Sequence, residues 1–166
     1  MEKIEAYLST QQKELDAITP LSYCENKTAN LILSSFANRA NKERVTLQVN
    51  ANLPELLAFP ETEFCALLSN GLENAIMAAT QMRGKLLRAV KVTCSINRDK
   101  LLIMIENAYA GEVEIKNGIP ITKEEGHGFG CRSIATIVDK RNGHYTFKAK
   151  DGTFTLRVVL PLGTNK

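Results

Sequence analysis

The chain lacks several features that would assign a protein quickly to a class. None of its apolar runs approaches the roughly 20 residues that a membrane-spanning helix requires, and its acidic, polar start, Met1-Glu-Lys-Ile-Glu-Ala6, does not resemble a signal peptide. Its 21 basic and 18 acidic residues nearly cancel, so charge alone does not indicate a nucleic-acid partner. We therefore expect a cytoplasmic domain that binds no nucleic acid, with 166 residues sufficing for one hydrophobic core.

Cysteine, histidine and nucleotide-binding motifs are equally sparse. The cysteines are widely separated and form no C-x-x-C pair, so we expect no zinc site or metal cluster: Cys24, Cys65, Cys94 and Cys131. We interpret them as cytosolic thiols, with a disulfide as the alternative. The absence of a G-x-x-x-x-G-K-[ST] sequence excludes a P-loop. Only two histidines occur, His127 and His144.

Hydrophobic periodicity and turn signals predict the order of helices and strands. Helices are predicted over 2–17, 27–43, 60–82 and 130–141, and strands over 45–49, 89–97, 100–106, 144–149 and 153–160. Asn97–Lys100 and Asp151-Gly152 indicate hairpin turns, whereas residues 108–126 have no period and are predicted to form a long loop. This order predicts an α+β, two-layer α/β sandwich, with a mixed, mainly antiparallel sheet and helices on one face.

Two amides lie one turn apart in the helix predicted over residues 60–82. Residues i and i+4 share a helix face, so Asn70 and Asn74 lie together, with Glu73 beside them and away from the apolar stripe. Asparagine is a mediocre helix former, and an amide oxygen suits Mg²⁺. The pattern therefore indicates a magnesium site, unless both amides simply face water.

A glycine run, Gly126-His127-Gly128-Phe129-Gly130, precedes the last predicted helix. Glycines let a backbone approach phosphates closely, and the following helix start offers free N–H groups and a positive dipole end. The run does not follow a strand, as a Rossmann fingerprint should. It indicates a phosphate-binding loop, with a flexible hinge as the alternative.

The combination of these patterns resembles a known superfamily. The resemblance rests on the amide helix, a strand ending Ile105-Glu106-Asn107, a long loop, the glycine run and a hairpin containing Asp151-Gly152-Thr153. It is to the ATP-binding domain, or Bergerat fold, shared by sensor histidine kinases, gyrase, Hsp90 and MutL, over residues 25–162. Within it the chain looks most like the catalytic domain of peptide-pheromone quorum-sensing kinases, the accessory-gene-regulator type. The segments similar to that branch are Phe36–Ala40, Asn50–Pro54, Leu67–Ala75 and Thr122-Lys123 before the glycine run.

The resemblance implies roles for individual residues, with ATP and Mg²⁺ as cofactors. Asn74 would be the Mg²⁺ ligand and Glu73 would order magnesium-bound water. Asn70 stands where hydrolysing relatives have a water-activating glutamate, and an amide cannot accept that proton. Asn107 would read the adenine amino group. The remaining cofactor-binding residues would be Gly111, Lys123, Gly126, His127, Gly128, Phe129, Gly130 and Thr153.

Three departures from the family pattern affect these implied roles. Asn107 replaces an aspartate, and a neutral acceptor binds the adenine amine less strongly than a charged one, by about 1 kcal/mol or more. Met77 stands where many kinases have a phosphate-binding lysine, so Lys123 or His127 would have to substitute. Neither histidine lies on a predicted dimerisation helix, so the phosphoacceptor would be outside this chain.

The resemblance also implies a place in a larger protein. Residues 1–18 resemble the end of a dimerisation helix, leaving residues 19–166 as the ATP-binding domain of a kinase anchored in the membrane. The partners would be the histidine-containing dimerisation domain of the same kinase and, indirectly, a response regulator. A natural stand-alone protein is the alternative. Two other functions stay open: a docking module that has lost catalysis, and a serine kinase that binds a sigma factor.

Overall fold

The computed structural model describes Ala6 and residues 22–84, 86–121 and 129–163. The helices within these ranges, beyond the helical Ala6, are α1 (Lys27–Lys42), α2 (Glu61–Thr80) and α3 (Phe129–Lys140). The strands are β1 (Thr46–Asn52), β2 (Ala89–Asn97), β3 (Lys100–Ala108), β4 (Glu114–Lys116), β5 (Ile119–Ile121), β6 (His144–Lys150) and β7 (Thr153–Pro161). The helix predicted over residues 2–17 and the boundary at residue 18 lie outside the described residues, apart from Ala6.

The main sheet has five strands in the order β1-β2-β3-β7-β6. Strand β1 pairs with β2 in parallel, and the other neighbours are antiparallel. In the central register, Ile103 of β3 lies between Cys94 of β2 and Val158 of β7. The prediction of a mixed, mainly antiparallel sheet is confirmed.

One face of this sheet carries the core. Along β3 every second residue is buried, from Leu101 through Ile103 and Ile105 to Asn107, and the residues between them are half-buried. Helix α2 contributes its own buried stripe, including Leu68 and Leu72. Because alternate strand residues meet the apolar helix faces, the molecule is a two-layer α+β structure, and the predicted fold class is confirmed.

The hairpin turns follow the sequence signals. Asp151 and Gly152 both have positive φ, at 51° and 78°, as a tight two-residue turn between β6 and β7 requires. The unstructured loop predicted over 108–126 is wrong in part, because β4 and β5 form a small hairpin inside it. Its turn, Asn117-Gly118, has φ of 53° and 77°, so an Asn-Gly hairpin signal was present but masked by the short, aperiodic strands on either side.

A single guanidinium connects the ends of two helices. Arg88, which precedes β2, donates hydrogen bonds to the backbone oxygens of Thr80, Glu43 and Arg44. Thr80 is the last residue of α2, and Glu43 and Arg44 follow α1 directly. Since the last carbonyls of a helix have no partner inside the helix, Arg88 satisfies both ends at once.

Helix α2 lies unusually close to the sheet at Gly71. A Cβ atom at this position would come 2.6 Å from Cδ1 of Ile105 and 3.1 Å from Cδ2 of Leu156. Both side chains are buried, on β3 and β7. The missing side chain therefore sets the distance between α2 and the middle of the sheet.

An ionic cluster joins the start of α2 to the end of α3. The Glu63 carboxylate accepts from Arg141 at 2.6 and 2.9 Å and from Lys140 at 3.1 Å. These bonds, those of Arg141 first, lower the pKa of Glu63 to about 2. The Arg141 guanidinium also lies 5.8 Å from the centre of the Phe59 ring. The cluster fixes one end of α3 to the body of the domain.

Among the described residues, no helix is long and apolar enough to cross a membrane.

Replacing Gly71 with alanine should destabilise the domain. Alanine raises helix propensity by about 1 kcal/mol, but overpacking against Ile105 costs more, so we expect a net loss of about 1–2 kcal/mol in the free energy of unfolding. Urea denaturation measures it. The double variant Gly71→Ala/Ile105→Val removes the atom that the new Cβ would meet and should recover most of the loss relative to Ile105→Val. Equal losses in both backgrounds would contradict the close approach.

Glu63→Gln should lower the free energy of unfolding near neutral pH. The pKa of Glu63 is depressed in the folded state, so its stabilisation is present above about pH 4.5 and is lost as the pH falls through about 2. The difference between wild type and variant should therefore shrink between about pH 5 and about pH 3. Urea denaturation across this range checks it, with the exposed Glu25→Gln as control. A difference that stays constant would refute the ionic contribution.

Candidate functional site

A cavity of about 690 Å³ opens between α2, the sheet and the start of α3. Its fourth wall is the segment after β3, together with the β4–β5 hairpin. The lining residues are Gly71, Asn74, Ala75, Met77, Ala78, Gln81, Ile105, Asn107, Tyr109, Ala110, Glu112, Val113, Glu114, Pro120, Ile121, Cys131, Phe147, Phe154 and Leu156. A cavity of this size is typical of sites for nucleotide-sized ligands.

The sheet side of the cavity is apolar and contains aromatic rings. Phe147 of β6 and Phe154 of β7 lie with their ring centres 6.2 Å apart, and Leu156 and Ile105 continue the same wall. The buried positions of neighbouring strands all point to this face. Such a wall suits a flat heteroaromatic group, which it would remove from water.

Asn107 is the polar group at the buried end of this wall. Its exposed fraction is 5%, and it is the last buried residue of β3 before the chain leaves the sheet. Its Nδ2 donates a hydrogen bond to the backbone oxygen of Ala108 at 2.9 Å. With the nitrogen held in this way, the carbonyl oxygen of the amide is the group that the residue offers to the cavity as an acceptor.

The structure brings Asn70 and Asn74 together beneath the start of α3. A Cβ atom at Gly130 would lie 3.3 Å from Nδ2 and 3.5 Å from Oδ1 of Asn74, and 3.6 Å from Oδ1 of Asn70. The predicted sharing of one helix face is therefore observed, and Gly130 lies close to both amides. A side chain at residue 130 would crowd the Asn74 amide, so the glycine allows this close approach of α3 to α2.

Cys131 contacts Asn74 from the next position of α3. Its Sγ accepts a hydrogen bond from Asn74 Nδ2 at 3.3 Å. Burial raises the pKa of this thiol to about 11, so the sulfur is neutral near physiological pH. Neutral sulfur is a weak acceptor, and it meets the nitrogen end of the amide.

Glu73 faces a different part of the molecule. Its carboxylate lies 3.5 Å from Nη1 of Arg39 on α1, and Arg39 also pairs with Glu43 at 3.0 Å. About half of the Glu73 side chain is exposed, and it is not among the residues that line the cavity. Its assignment to magnesium-bound water stays a prediction, since the structure places the carboxylate at the α1–α2 junction.

The other predicted residues fall at the rim or outside the described chain. Gly111 lies between two lining residues and has φ of 77°, which a side chain would strain. Thr153 is exposed at the start of β7, paired with Ala108 beside the cavity. Phe129 is the first residue of α3. The remaining predicted residues, Lys123, Gly126, His127 and Gly128, lie outside the described residues.

The charge of the cavity wall is unexpected for an anionic ligand. Two glutamates, Glu112 and Glu114, line it, and so does Met77, at the position where the resemblance implies a lysine in many kinases. Within the part of the chain that the structure describes, no lysine or arginine lines this cavity. Neutralisation of a phosphate here would have to come from a bound cation or from other residues.

Sequence reasoning missed several residues of this site. Phe147 and Phe154 were assigned to a hairpin without a role, although their alternation along β6 and β7 places both on the buried face. Cys131 gave no signal beyond its position after the glycine run. Its proximity to Asn74 depends on α3 packing against α2, which no local pattern encodes.

Comparisons with known proteins agree with this geometry. Residues 61–161 match the family model described as the GHKL domain. None of the curated protein sequences matches the chain. Among solved structures, the catalytic domain of histidine kinase ThkA in a nucleotide-free form has a TM-score of 0.62 at 17% identity, with 81% of this chain and 95% of that chain covered.

Two larger structures give similar values. Histidine kinase AdeS of Acinetobacter baumannii has a TM-score of 0.59 at 13% identity, with 82% of this chain and 64% of that chain covered. The histidine kinase domain of the blue-light activated kinase EL346 of Erythrobacter litoralis has a TM-score of 0.60 at 18% identity, with 81% and 60% covered. At these identities the likeness establishes the fold that the chain shares with histidine kinase catalytic domains. Because the family model matches residues 61–161, more than half of the chain, the chain belongs to the GHKL domain family.

Proposed function

We propose that this chain is the ATP-binding phosphotransfer domain of a two-component sensor histidine kinase. It would transfer the γ-phosphate of ATP to a histidine outside the chain. The observation that carries the proposal is the meeting of Asn70 and Asn74 under Gly130, at one side of an apolar cavity whose buried end holds Asn107. Along the cavity, this arrangement offers places for an adenine ring, a metal ion and phosphate groups, in that order.

The adenine end of the site is Asn107 and the aromatic wall. Because Asn107 Nδ2 is bound to Ala108, its carbonyl oxygen is available to accept from an exocyclic amine. Phe147 and Phe154 would remove the faces of the base from water. An acceptor oxygen at this place distinguishes a nucleobase that carries an amine there from one that carries a carbonyl.

The amide pair fits Mg²⁺ as its protein ligand. Asn74 would supply a neutral oxygen, which suits a hard cation that keeps several waters and shares phosphate oxygens. Asn74 lines the cavity, and the absence of a side chain at Gly130 avoids crowding of its amide from that side. When bound, the ion would neutralise charge on the transferred phosphoryl group.

Asn70 accounts for transfer in preference to hydrolysis. It lies beside Asn74, and the resemblance implies that hydrolysing relatives have a water-activating glutamate at its position. An amide has no basic site near neutral pH, so water attack lacks general-base assistance. Catalysis would consist mainly of positioning the phosphates for an external imidazole.

The proposal also assigns roles to further residues of the site and a place for the domain in a larger protein. Glu73 would act through ordered water, and Gly111, Phe129 and Thr153 would border the nucleotide. Residues outside the described ranges would complete the phosphate site: Lys123, Gly126, His127 and Gly128. The parent protein would be a membrane-anchored quorum-sensing kinase of the accessory-gene-regulator type with this domain in the cytoplasm. Residues 1–18 would belong to its dimerisation helix, and its partners would be the histidine-containing dimerisation domain and, indirectly, a response regulator.

A second candidate function is favoured by the charge of the cavity wall. Glu112 and Glu114 repel phosphates, and Met77 supplies no compensating charge. A docking module that binds nucleotide weakly and has lost catalysis would tolerate such a wall. The first experiment below separates the two functions.

Asn74→Ala should remove the magnesium-dependent part of nucleotide binding. We expect wild type to bind ADP and ATP in the presence of Mg²⁺, and the variant to bind at least about tenfold more weakly because it lacks the metal-ligating oxygen. Calorimetric titration measures the affinities. Transfer to a supplied histidine-containing dimerisation domain should fall by about 100-fold or more.

The matched control is Asn41→Ala, which removes an exposed asparagine from α1. It should leave binding and transfer unchanged. Wild-type transfer rates in Asn74→Ala would reject the magnesium assignment. No binding by wild type up to millimolar nucleotide, together with no transfer, would favour the docking module.

Asn107→Ala should abolish discrimination between adenine and hypoxanthine nucleotides. Inosine diphosphate presents a carbonyl where ADP presents an amine, so wild type should prefer ADP by about tenfold, the value of one hydrogen bond in a desolvated site. The ratio of the two dissociation constants should approach one in the variant. Competition binding with both nucleotides gives this ratio.

The control for this measurement is Asn97→Ala, at the opposite end of the β2–β3 hairpin. A variant that weakens ADP and inosine diphosphate equally would indicate a damaged cavity, and would contradict a role for Asn107 in reading the base.

A further inference from the structure

We propose that Cys131 is a positioning residue for the Asn74 amide, holding its nitrogen so that its carbonyl oxygen is presented to the cavity. The bond itself is a property of the folded protein. Its consequence for a bound cation rests on the proposed function.

The two ends of an asparagine amide are nearly identical in shape and opposite in chemistry. The oxygen is an acceptor and can ligate a cation, whereas the nitrogen carries only donors and would repel one. An amide on a helix can present either end after a half-turn about its last side-chain torsion, which has no strong intrinsic preference. A useful Asn74 therefore needs a partner that distinguishes its two ends.

Cys131 is placed to make this distinction. Its Sγ lies 3.3 Å from Nδ2 of Asn74, within reach of an N–H···S hydrogen bond. The reversed amide would leave both N–H groups without this acceptor. Sulfur is a weak acceptor and the neutral thiol is also a weak donor, and in the structure the sulfur meets the nitrogen end of the amide.

The sulfur is held in place by the packing of α3. Cys131 has an exposed fraction of 7%, and the preceding Gly130 fits closely against both amides. At its far end α3 is tied to α2 through Glu63 and Arg141. The thiol therefore cannot follow the amide if the amide turns, which is what a positioning residue requires.

Asn107 shows the same arrangement at the other end of the cavity. Its Nδ2 is also bound, there to the backbone oxygen of Ala108. The Asn74 and Asn107 amides, which both line the cavity, are thus both held at nitrogen. The difference is that a backbone oxygen fixes Asn107, whereas a replaceable side chain fixes Asn74, which makes the effect testable.

The first test uses the protein without nucleotide. The side-chain NH₂ signals of Asn74 are identified in a ¹⁵N spectrum by their loss in Asn74→Asp, and their exchange with water is measured. Cys131→Ala should accelerate this exchange at least about threefold, the effect of losing one weak hydrogen bond. Cys131→Ser keeps an acceptor and should stay closer to wild type, and Cys65→Ala, which changes a thiol of α2 without a role in the cavity, should have no effect. An unchanged rate in Cys131→Ala would overturn the proposal.

The second test measures ADP affinity by calorimetry with Mg²⁺ and with EDTA. In Cys131→Ala the gain in affinity due to Mg²⁺ should fall about threefold or more, while the metal-free affinity stays within about twofold. An equal loss under both conditions would show a packing role only and would overturn the proposal. Failure of wild type to bind ADP at all would instead reject the proposed function, and the exchange measurement would still decide whether Cys131 holds the amide.

Discussion

The close approach of α2 to the sheet at Gly71 determines where the chemistry of this domain lies. The glycine directly follows Asn70 and comes three residues before Asn74, so the distance of the helix axis from β3 also sets the height of both amides above the sheet. A Cβ would meet Ile105, whose side chain lines the cavity. The core and the site therefore share atoms, and a change of packing at this point alters the shape of both.

The second requirement is that α3 keeps its first turn over those amides. Its other end is fixed in two ways. Glu63 accepts from Arg141 and Lys140, and Gly143 packs where a Cβ would lie 2.6 Å from the backbone oxygen of Val159. Both contacts lie at the end of α3 opposite to Gly130, so a rigid helix transmits the position of its last turn to its first. The ionic cluster is thereby linked through α3 to a site that it does not touch.

The sequence predicted the parts of this structure that local rules encode. The spacing of Asn70 and Asn74 follows from the helical repeat, and the turn at Asp151-Gly152 follows from the need for positive φ. The β4–β5 hairpin was missed because strands of three residues are too short to show a period. Cys131 and the aromatic pair of Phe147 and Phe154 were missed for another reason. Their importance arises only when separate elements pack together, and the resemblance to a family names the residues at its motifs but not those that hold them.

The site uses neutral groups where a carboxylate would be the stronger electrostatic choice. Asn70, Asn74 and Asn107 contribute amides, and the carboxylates that do line the cavity, Glu112 and Glu114, lie on the segment after β3 and on β4. A carboxylate has two equivalent oxygens and needs no partner to orient it, whereas an amide binds correctly in one orientation only. When amides replace carboxylates, ligand binding therefore depends less on charge and more on the orientation of each amide. The hydrogen bonds from Nδ2 of Asn74 and of Asn107 supply that orientation. A neutral site of this kind binds its ligand less tightly than a charged one, and its selectivity depends on how firmly each nitrogen is held.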